Sequence, residues 1–378
     1  MAEVMGRAGV VGGGIGGLAT AIALRAAGWD VTVYERSPQF TEVGAGITLA
    51  ANALTALDAL GVGDAIRSAA IEDRRGVARN QRGRVLIDAQ VSDFVGGLVT
   101  VHRADLIAIL AAAVPAQCVR SGTRVVGVHA DAAIETDTDT TRYDLVVGAD
   151  GVNSVVRQQL WPHGSPVHRT GITAWRWVLE VPAPDPVGVI LGRSAESGVV
   201  PMAGDRTYVF AAARPGITSL DYFTDWPDPL PELIAATDPS RIVIDELLEI
   251  RVPRRLWNDR VVLVGDAAHA MRPTLGQGAG MALEDAVTLA ACAPDLARYS
   301  AARRRRVAMM NFLSRHGMRM TSPGSATLAA LRDAAILATP NALNVGMFRY
   351  TNNRAFRSWR PPASAFEPTL PTIRKPLG

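Results

Sequence analysis

The sequence predicts an α/β protein: a Rossmann-type nucleotide-binding domain, a β-rich layer inserted into it, and a set of helices after it. Three observations lead there. A glycine-rich turn near the N-terminus separates two short apolar strands. Alternation of period two runs through residues 174–181. Residues 298–350 read as helix, broken at Ser322-Pro323-Gly324 and Thr339-Pro340.

The first element is the strand Ala8-Gly9-Val10-Val11. Gly12-Gly13-Gly14-Ile15-Gly16-Gly17 follows, then a helix from Leu18 to Ala27 stopped by Gly28, and a second strand, Val31-Thr32-Val33-Tyr34, ending in Glu35. The glycines fit G-x-G-x-x-G at Gly12, Gly14 and Gly17. Gly12 makes the tight turn, Gly14 lets backbone approach a pyrophosphate, and Gly17 lets helix and strand pack closely. The helix N-terminus offers free N–H groups and partial positive charge to phosphates. Glu35 can accept from both hydroxyls of a ribose, and its charge argues against a 2′-phosphate there. This β-α-β unit predicts a dinucleotide site, with the choice between NAD and FAD left open by the motif alone.

Farther along, Leu54, Leu57 and Leu60 predict a helix closing at Gly61, preceded by the small-residue segment Val43-Gly44-Ala45-Gly46-Ile47. Residues 103–113 predict a helix with Leu106, Ile109 and Leu110 on one face. Strands around Val126 and Ile134 flank the polar run from Thr136 to Thr141, read as a solvated turn. Tyr143-Asp144-Leu145-Val146-Val147 is a buried-type strand running into Asp150-Gly151, with a helix starting near Ser154. In the inserted layer Trp175, Trp177, Leu179 and Val181 alternate with Ala174, Arg176, Val178 and Glu180, which predicts a strand with one face more buried. The strand Arg260-Val261-Val262-Leu263-Val264 ends in Gly265-Asp266, and a helix opens near Gly280. The Arg303–Arg306 run reads as a solvated helix face.

Composition narrows the function. The net charge of +3 over 378 residues gives no reason to expect a nucleic-acid partner. Lys375 is the only lysine, so no Gly-Lys-Ser/Thr phosphate loop exists and a P-loop NTPase is excluded. Cys118 and Cys292 lack any metal-knuckle or redox spacing and read as free thiols, which fits a cytoplasmic setting. The apolar run from Ala8 to Leu24 is too rich in glycine for a leader or a membrane span.

Three motifs together carry a resemblance. They are the glycine turn with Glu35-Arg36; the segment Asp144-Leu145-Val146-Val147-Gly148-Ala149-Asp150-Gly151 continuing to Arg157; and Val264-Gly265-Asp266-Ala267-Ala268-His269-Ala270-Met271-Arg272-Pro273, continuing through Gly276-Gln277-Gly278-Ala279-Gly280 to Glu284-Asp285-Ala286. In order and spacing the chain resembles the single-component FAD-dependent aromatic hydroxylases, the class A flavoprotein monooxygenases. Thr173-Ala174-Trp175-Arg176 and Gly278-Ala279-Gly280 place it nearest the salicylate- and urate-hydroxylase branch, from which it departs at Met281 and along the stretch from Arg193 to Arg206.

The resemblance implies a p-hydroxybenzoate hydroxylase-like fold. Residues 1–70, 100–168 and 258–300 would form the FAD-binding domain, and 71–99 with 169–257 the β-rich substrate domain. Residues 301–360 would be C-terminal helices and 361–378 a loosely ordered tail. It also implies residue roles. Gly12, Gly14, Ile15, Gly16 and Gly17 would hold the FAD pyrophosphate, with Arg103 in support. Glu35 would hold the adenosine ribose, Arg36 would flank the adenosine, and Val126 would lie beside the adenine. Asp150 would serve flavin binding and nicotinamide access, and Gly265-Asp266 the ribityl chain. Pro273, Gly276, Gly278, Ala279, Gly280 and Met281 would line the isoalloxazine, with Gly46 and Ile47 on its other side.

The chemistry implied is hydroxylation of an aromatic or polycyclic small molecule. NADPH or NADH reduces the flavin, and O2 forms a C4a-hydroperoxyflavin that transfers OH. Alternatives are inactivation of a tetracycline- or rifamycin-type antibiotic, a flavin dehydrogenase or reductase that forms no hydroperoxide, and a silent flavin-binding protein. No metal, nucleic-acid or membrane partner is expected, and the chain is expected to act as a monomer or homodimer. No catalytic base stands out. Arg176 could pair with a substrate carboxylate or lie on an exposed strand. His269 could be a base, though a turn histidine more often holds its loop. Tyr208 is a candidate by residue type alone. Trp175 and Trp177 read as packing within the β layer.

Overall fold

The computed structural model describes residues 4–40, 45–68, 74–90, 93 and 99–363. Val43, Gly44 and the tail from residue 364, all read above from the sequence, lie outside the described residues. The chain begins with β1 (Gly6–Val11), α1 (Ile15–Ala26) and β2 (Trp29–Glu35), the predicted β-α-β unit. Next come β3 (Gly46–Leu49), α2 (Ala51–Ala59), α3 (Gly63–Arg67), β4 (Arg75–Asn80) and β5 (Val85–Gln90). A return segment follows: β6 (Val99–His102), α4 (Arg103–Ala112) and β7 (Val119–Ser121). After it lie β8 (Val125–Val128), β9 (Ala133–Thr136), β10 (Thr140–Arg142), β11 (Leu145–Gly148) and α5 (Val155–Leu160).

The second excursion is β12 (Val167–Leu179), β13 (Gly188–Leu191), β14 (Ala195–Met202), β15 (Arg206–Ala213), α6 (Leu230–Ala235) and β16 (Val243–Ile250). The chain then returns through β17 (Trp257–Asn258), β18 (Val261–Leu263) and α7 (Asp266–His269). Four α-helices follow: α8 (Gly278–Cys292), α9 (Leu296–Thr321), α10 (Ala326–Ala338) and α11 (Asn341–Phe356).

Two sheets organise these elements. The first has the order β17-β18-β11-β1-β2-β7, parallel except at β17. Its inner strands β11 and β18 are buried at every position, the pattern of a parallel sheet covered on both faces. α1 lies against α8 and is apolar nearly all round, because it is wedged between sheet and helix rather than laid on a surface. The second sheet has the order β16-β12-β15-β14-β13-β4-β5, antiparallel except where β13 meets β4. Of the run from Thr136 to Thr141 read as a solvated turn, only 137–139 turn; Thr136 is buried at the end of β9, and Thr140 and Thr141 belong to β10.

On one face of the second sheet Trp175, Trp177 and Leu179 bury against Phe223, Trp226, Leu230 and Leu233. Trp175 meets the edge of Phe223 at 5.8 Å between ring centres, so both tryptophans pack in the core. The face of Trp175, Trp177 and Leu179 is the more buried one, as expected, since the other carries half-buried Arg176 and exposed Glu180. Ala174 and Val178 on the opposite face are also buried, whereas Val181 is exposed. That second face is covered by the first domain and the C-terminal helices: Ile172 and Ala212 pack on Met318, and Val178 clusters with Met202 and Tyr208. In α4 the buried set is Leu106, Ile107 and Leu110, with Ile109 only half-buried.

The Arg303–Arg306 run is not a solvated face. Arg303 falls on the buried stripe of α9 with Tyr299, Val307, Met310 and Ser314, at helical spacing. It is 1% exposed and ion-paired to both Glu284 and Asp285, while Arg306 pairs with Glu284. Arg304 and Arg305 alone of the four face outward.

Candidate active site

The site is built where the inner strands of the first sheet end. β1 stops at Val11 and the chain turns at Gly12, whose φ of +103° is open to glycine alone in practice. A Cβ there would lie 2.5 Å from the Ala149 carbonyl oxygen, and one on Gly17 would lie 1.9 Å from the Gly12 carbonyl oxygen. The turn and the first helical turn are therefore locked against each other. α1 has no side-chain cap at Gly14, and a Cβ on Gly14 would meet nothing within 4 Å. The result is a helix N-terminus with unsatisfied N–H groups facing open space, the arrangement that receives a phosphate.

Glu35 closes this cradle from β2. One carboxylate oxygen accepts from the Gly13 N–H at 2.7 Å, the other from the Ser37 N–H at 2.8 Å. Arg36 beside it is exposed, and Val126 on β8 is 39% exposed. Arg103 opens α4, and its N–H donates to the Ala45 carbonyl, which ties α4 to the start of β3. In β3, Gly46 and Ile47 pair with His102 and Val101.

Two later motifs meet the cradle. Asp150 accepts from the N–H groups of Val155 and Val156 at 2.7 and 3.2 Å and so caps α5. Burial pushes its carboxyl up, against the hydrogen bonds from Ser154 and these amides. Arg157, 1% exposed, donates to the Ala267 carbonyl at 3.0 Å and to Val152 and Ser165 carbonyls, which binds the Asp150 motif to the Gly265-Asp266 turn. Asp266 is exposed while Ala267, Ala268 and His269 after it are buried. Past it, a turn at Pro273–Leu275 leads through Gly276 into α8, whose N-terminus also lacks a side-chain cap. Cβ atoms on Gly276 or Gly278 would meet nothing within 4 Å, whereas one on Gly280 would strike Asn52. Ala279 stands between Gly278 and Gly280 in this first turn.

The second sheet faces this loop. The Tyr208 ring lies on Gly46, where a Cβ would come within 2.4 Å of it. At the other end, Met318 of α9 packs on Ala212, and its neighbour Gly317 rests on Thr274. Between these two contacts, Phe210 and Arg176 oppose each other across β15 and β12 and are half-buried. Burial pushes the Tyr208 phenol up to about 12, partly offset by Arg176, so it is neutral at physiological pH. Arg176 is ion-paired with Asp245 on β16.

His269 holds its loop, the commoner of its two readings, and Met281 lies elsewhere than expected. His269 is fully buried and its Nε2 sits 2.5 Å from the Asp285 carboxylate, so it secures the loop and reaches no substrate. The Met281 side chain is fully buried with Ala50, Val307, Met310 and Phe356, behind the loop rather than lining it.

One group of residues escaped the sequence reading. The Asp285 carboxylate accepts from the Gly265 N–H at 3.0 Å and from Arg303 Nε at 2.7 Å. Glu284 accepts from Arg303 at 2.5 Å, from Arg306 at 2.6 and 2.7 Å, and from Asn52 at 2.7 Å. Asn52 also donates to Gln277 at 2.9 Å. Both turns of the cradle, at Gly265 and at Gln277, thus hang on two adjacent buried carboxylates. An acidic pair inside the otherwise apolar helix α8 was the available signal, since buried charge demands a partner.

The FAD binding domain family matches residues 6–297. The chain is a class A flavoprotein monooxygenase. This monooxygenase is 38% identical over 327 residues to the aurachin C monooxygenase/isomerase of Stigmatella aurantiaca, covering 78% of this chain and 84% of that one. It is 35% identical over 336 residues to the 3-hydroxybenzoate 6-hydroxylase of Klebsiella oxytoca, covering 79% and 83%. Among solved structures it is similar to Klebsiella pneumoniae HpxO complexed with FAD and uric acid. That match has a TM-score of 0.82 and 27% identity, with 92% of this chain and 96% of that one covered. The p-hydroxybenzoate hydroxylase-like fold expected of the monooxygenase is the fold it has, and its cofactor is FAD.

Proposed function

We propose that FAD lies along the line from Gly12 to Gly280, and that the aromatic ring this enzyme hydroxylates binds between the Gly276–Gly280 loop and the Arg176–Phe210 face of the second sheet. The observation that carries this reading is the bare N-terminus of α8. No side chain caps it, and the two glycines before and at its start leave open space in front of the backbone donors. That open space is where the ring system would lie.

Each part of the chain then has a task. The α1 N-terminus, through Gly14 to Gly17, receives the pyrophosphate. Glu35, with Arg36 and Val126 near it, takes the adenosine, and Arg103 supports the phosphates. Asp266 takes the ribityl chain, with Gly265 held by Asp285. Asp150 keeps α5 in register beside the turn. The N–H groups and dipole of α8 favour negative charge on the ring system above them. When bound, FAD supplies the activation of O2 by electrons from NADH or NADPH. Tyr208, neutral, can only donate a hydrogen bond, and Arg176 offers a cation to a substrate carboxylate. Phe210, Met318 and Ala212 exclude water from the side opposite the loop.

The division into an FAD-binding domain, a β-rich substrate domain and C-terminal helices at the boundaries given above belongs to the same proposal. So do action in the cytoplasm, with which two free buried cysteines agree, and action as a monomer or homodimer. Among the described residues no helix is long and apolar enough to cross a membrane. Size-exclusion chromatography with light scattering reads the oligomeric state.

The activity test uses the FAD-loaded protein with NADH or NADPH in air and a panel of aromatic acids, phenols and fused heteroaromatics, including 3-hydroxybenzoate and uric acid. The expected result is ring-dependent nicotinamide oxidation, with a product heavier by one oxygen atom. Oxidation at one rate with every ring and no oxygenated product would mean a flavin reductase instead.

A further inference from the structure

An open pocket of about 570 Å³ lies away from the flavin cradle. It opens between the first half of α9 and the segment leading into β17, at the outer edge of the first sheet. Ala297, Ser300 and Ala301 of α9 line it. They share one helix face by the three- and four-residue spacing, and their small side chains are what leave the space. Arg304 and Arg305 rise on one side, Arg254 and Arg255 on the other, with Trp257 beside them.

The two walls are fixed to each other. Arg304 Nε donates to the Pro253 carbonyl at 3.2 Å, and the Leu256 N–H donates to Ser300 Oγ at 3.1 Å. The indole of Trp161 donates to the Arg255 carbonyl at 3.0 Å. Arg255 stands over the Trp257 ring at 6.0 Å. No carboxylate lines the cavity. Among the described residues none of these four guanidiniums is ion-paired, whereas Arg303 and Arg306, on the same helix, both are.

Four like charges in one concavity repel each other and focus a positive field into it. A multiply charged anion relieves that repulsion. Guanidinium is the side chain that matches phosphate oxygens in a two-pronged fashion. The indole adds a flat apolar surface on which a ring can stack. The volume falls within the roughly 300–1,000 Å³ of small-molecule sites. We propose that this cavity binds a small molecule that carries a pyrophosphate, or two nearby phosphates, joined to a flat heteroaromatic ring: a nucleotide-type polyanion. The proposal does not rest on the hydroxylase reading, since binding is measured without turnover.

The test is calorimetry on the FAD-loaded full chain with inorganic pyrophosphate, ADP, ADP-ribose and its 2′-phosphate. Pyrophosphate binds one to one with a Kd of about 1 mM or tighter, and affinity falls as salt is raised. ADP binds more tightly than pyrophosphate, and Trp257→Leu removes that gain. The double variant Arg254→Gln/Arg305→Gln keeps its FAD and its melting temperature, because both side chains are exposed, and loses at least about tenfold in pyrophosphate affinity. Arg319→Gln, also exposed on α9 but far from the cavity, changes nothing. Preference for the 2′-phosphate over ADP-ribose identifies the phosphate end of NADPH as the natural source. Equal affinity for the two identifies a free nucleotide diphosphate. No binding of any of the four probes, or binding that the double variant leaves unchanged, overturns the proposal.

Discussion

Replacing Arg303 with methionine keeps the unbranched stem and removes the guanidinium. In the folded protein that group is 1% exposed and donates to Asp285 at 2.7 Å, to Glu284 at 2.5 Å and to the Met281 carbonyl at 3.2 Å. Without it two buried carboxylates lose a shared cation. Breaking a buried pair by removing one partner costs about 3–5 kcal/mol. Glu284 keeps Arg306, so the lower end, about 3 kcal/mol, is expected. That lowers the melting temperature by roughly 5 °C in a chain of this size.

The pH dependence gives a second readout. Burial pushes the Asp285 carboxyl up, but His269 and Arg303 outweigh it and hold it below the ordinary value. A depressed carboxyl adds stability above its unfolded pKa, and that stability is lost as pH falls through the folded pKa. Removing Arg303 raises the folded pKa, so the acid-side loss of stability begins at higher pH in the variant. Urea unfolding followed by circular dichroism, repeated across pH 4 to 8, measures both effects, and flavin fluorescence reports FAD release in the same samples. Because Gly265 and Gln277 both depend on these carboxylates, FAD should leave the variant at lower urea than the wild type. A loss under about 1 kcal/mol with an unshifted acid limb would refute the reasoning.

Other outcomes follow from the same geometry. Gly17→Ala places a Cβ 1.9 Å from the Gly12 carbonyl and should abolish FAD retention, read from the absorbance of the purified protein. Tyr208→Phe should leave the pH profile of kcat flat where the wild type is flat between about pH 6 and 9, since the phenol is held up to about 12 and does not ionise there. Its raised folded pKa also means that its contribution to stability is present below about 10 and is lost as pH rises toward about 12. For a ring substrate bearing a carboxylate, Arg176→Gln should raise KM about tenfold with little change in kcat. Asp245→Asn, which releases Arg176 from its ion pair, should lower that KM; steady-state kinetics with a carboxylate and a non-carboxylate ring separates the two cases.

How far the sequence could be read depended on how local each interaction is. The turn at Gly12 and the uncapped start of α1 are set by neighbours within a few residues, so spacing alone disclosed them. Glu35 was legible because it ends the strand that follows the glycine turn, and there its carboxylate meets the Gly13 N–H. The Gly265-Asp266 turn and the Gly276–Gly280 loop were legible as motifs. Arg303 was misread because four consecutive arginines suggest solvent, although Tyr299, Val307 and Met310 already marked a buried stripe that includes it. Met281 was placed on the wrong side of the loop for a related reason. Membership in a motif places the backbone, while the direction of each side chain depends on what packs behind it.

By itself the sequence disclosed a nucleotide cradle and an α/β fold with an inserted sheet, because glycine spacing and strand periodicity are short-range properties of the chain; the flavin-dependent family was legible only as a resemblance carried by three long motifs. Only the tertiary structure decided which charges meet. Asn52 reaches Glu284 across 232 residues, and Arg176 reaches Asp245 across 69. It likewise brought Arg254 and Arg255 to face Arg304 and Arg305 around one cavity. Electrostatic partners are chosen by distance in space, and no local pattern records where two distant segments of chain will touch.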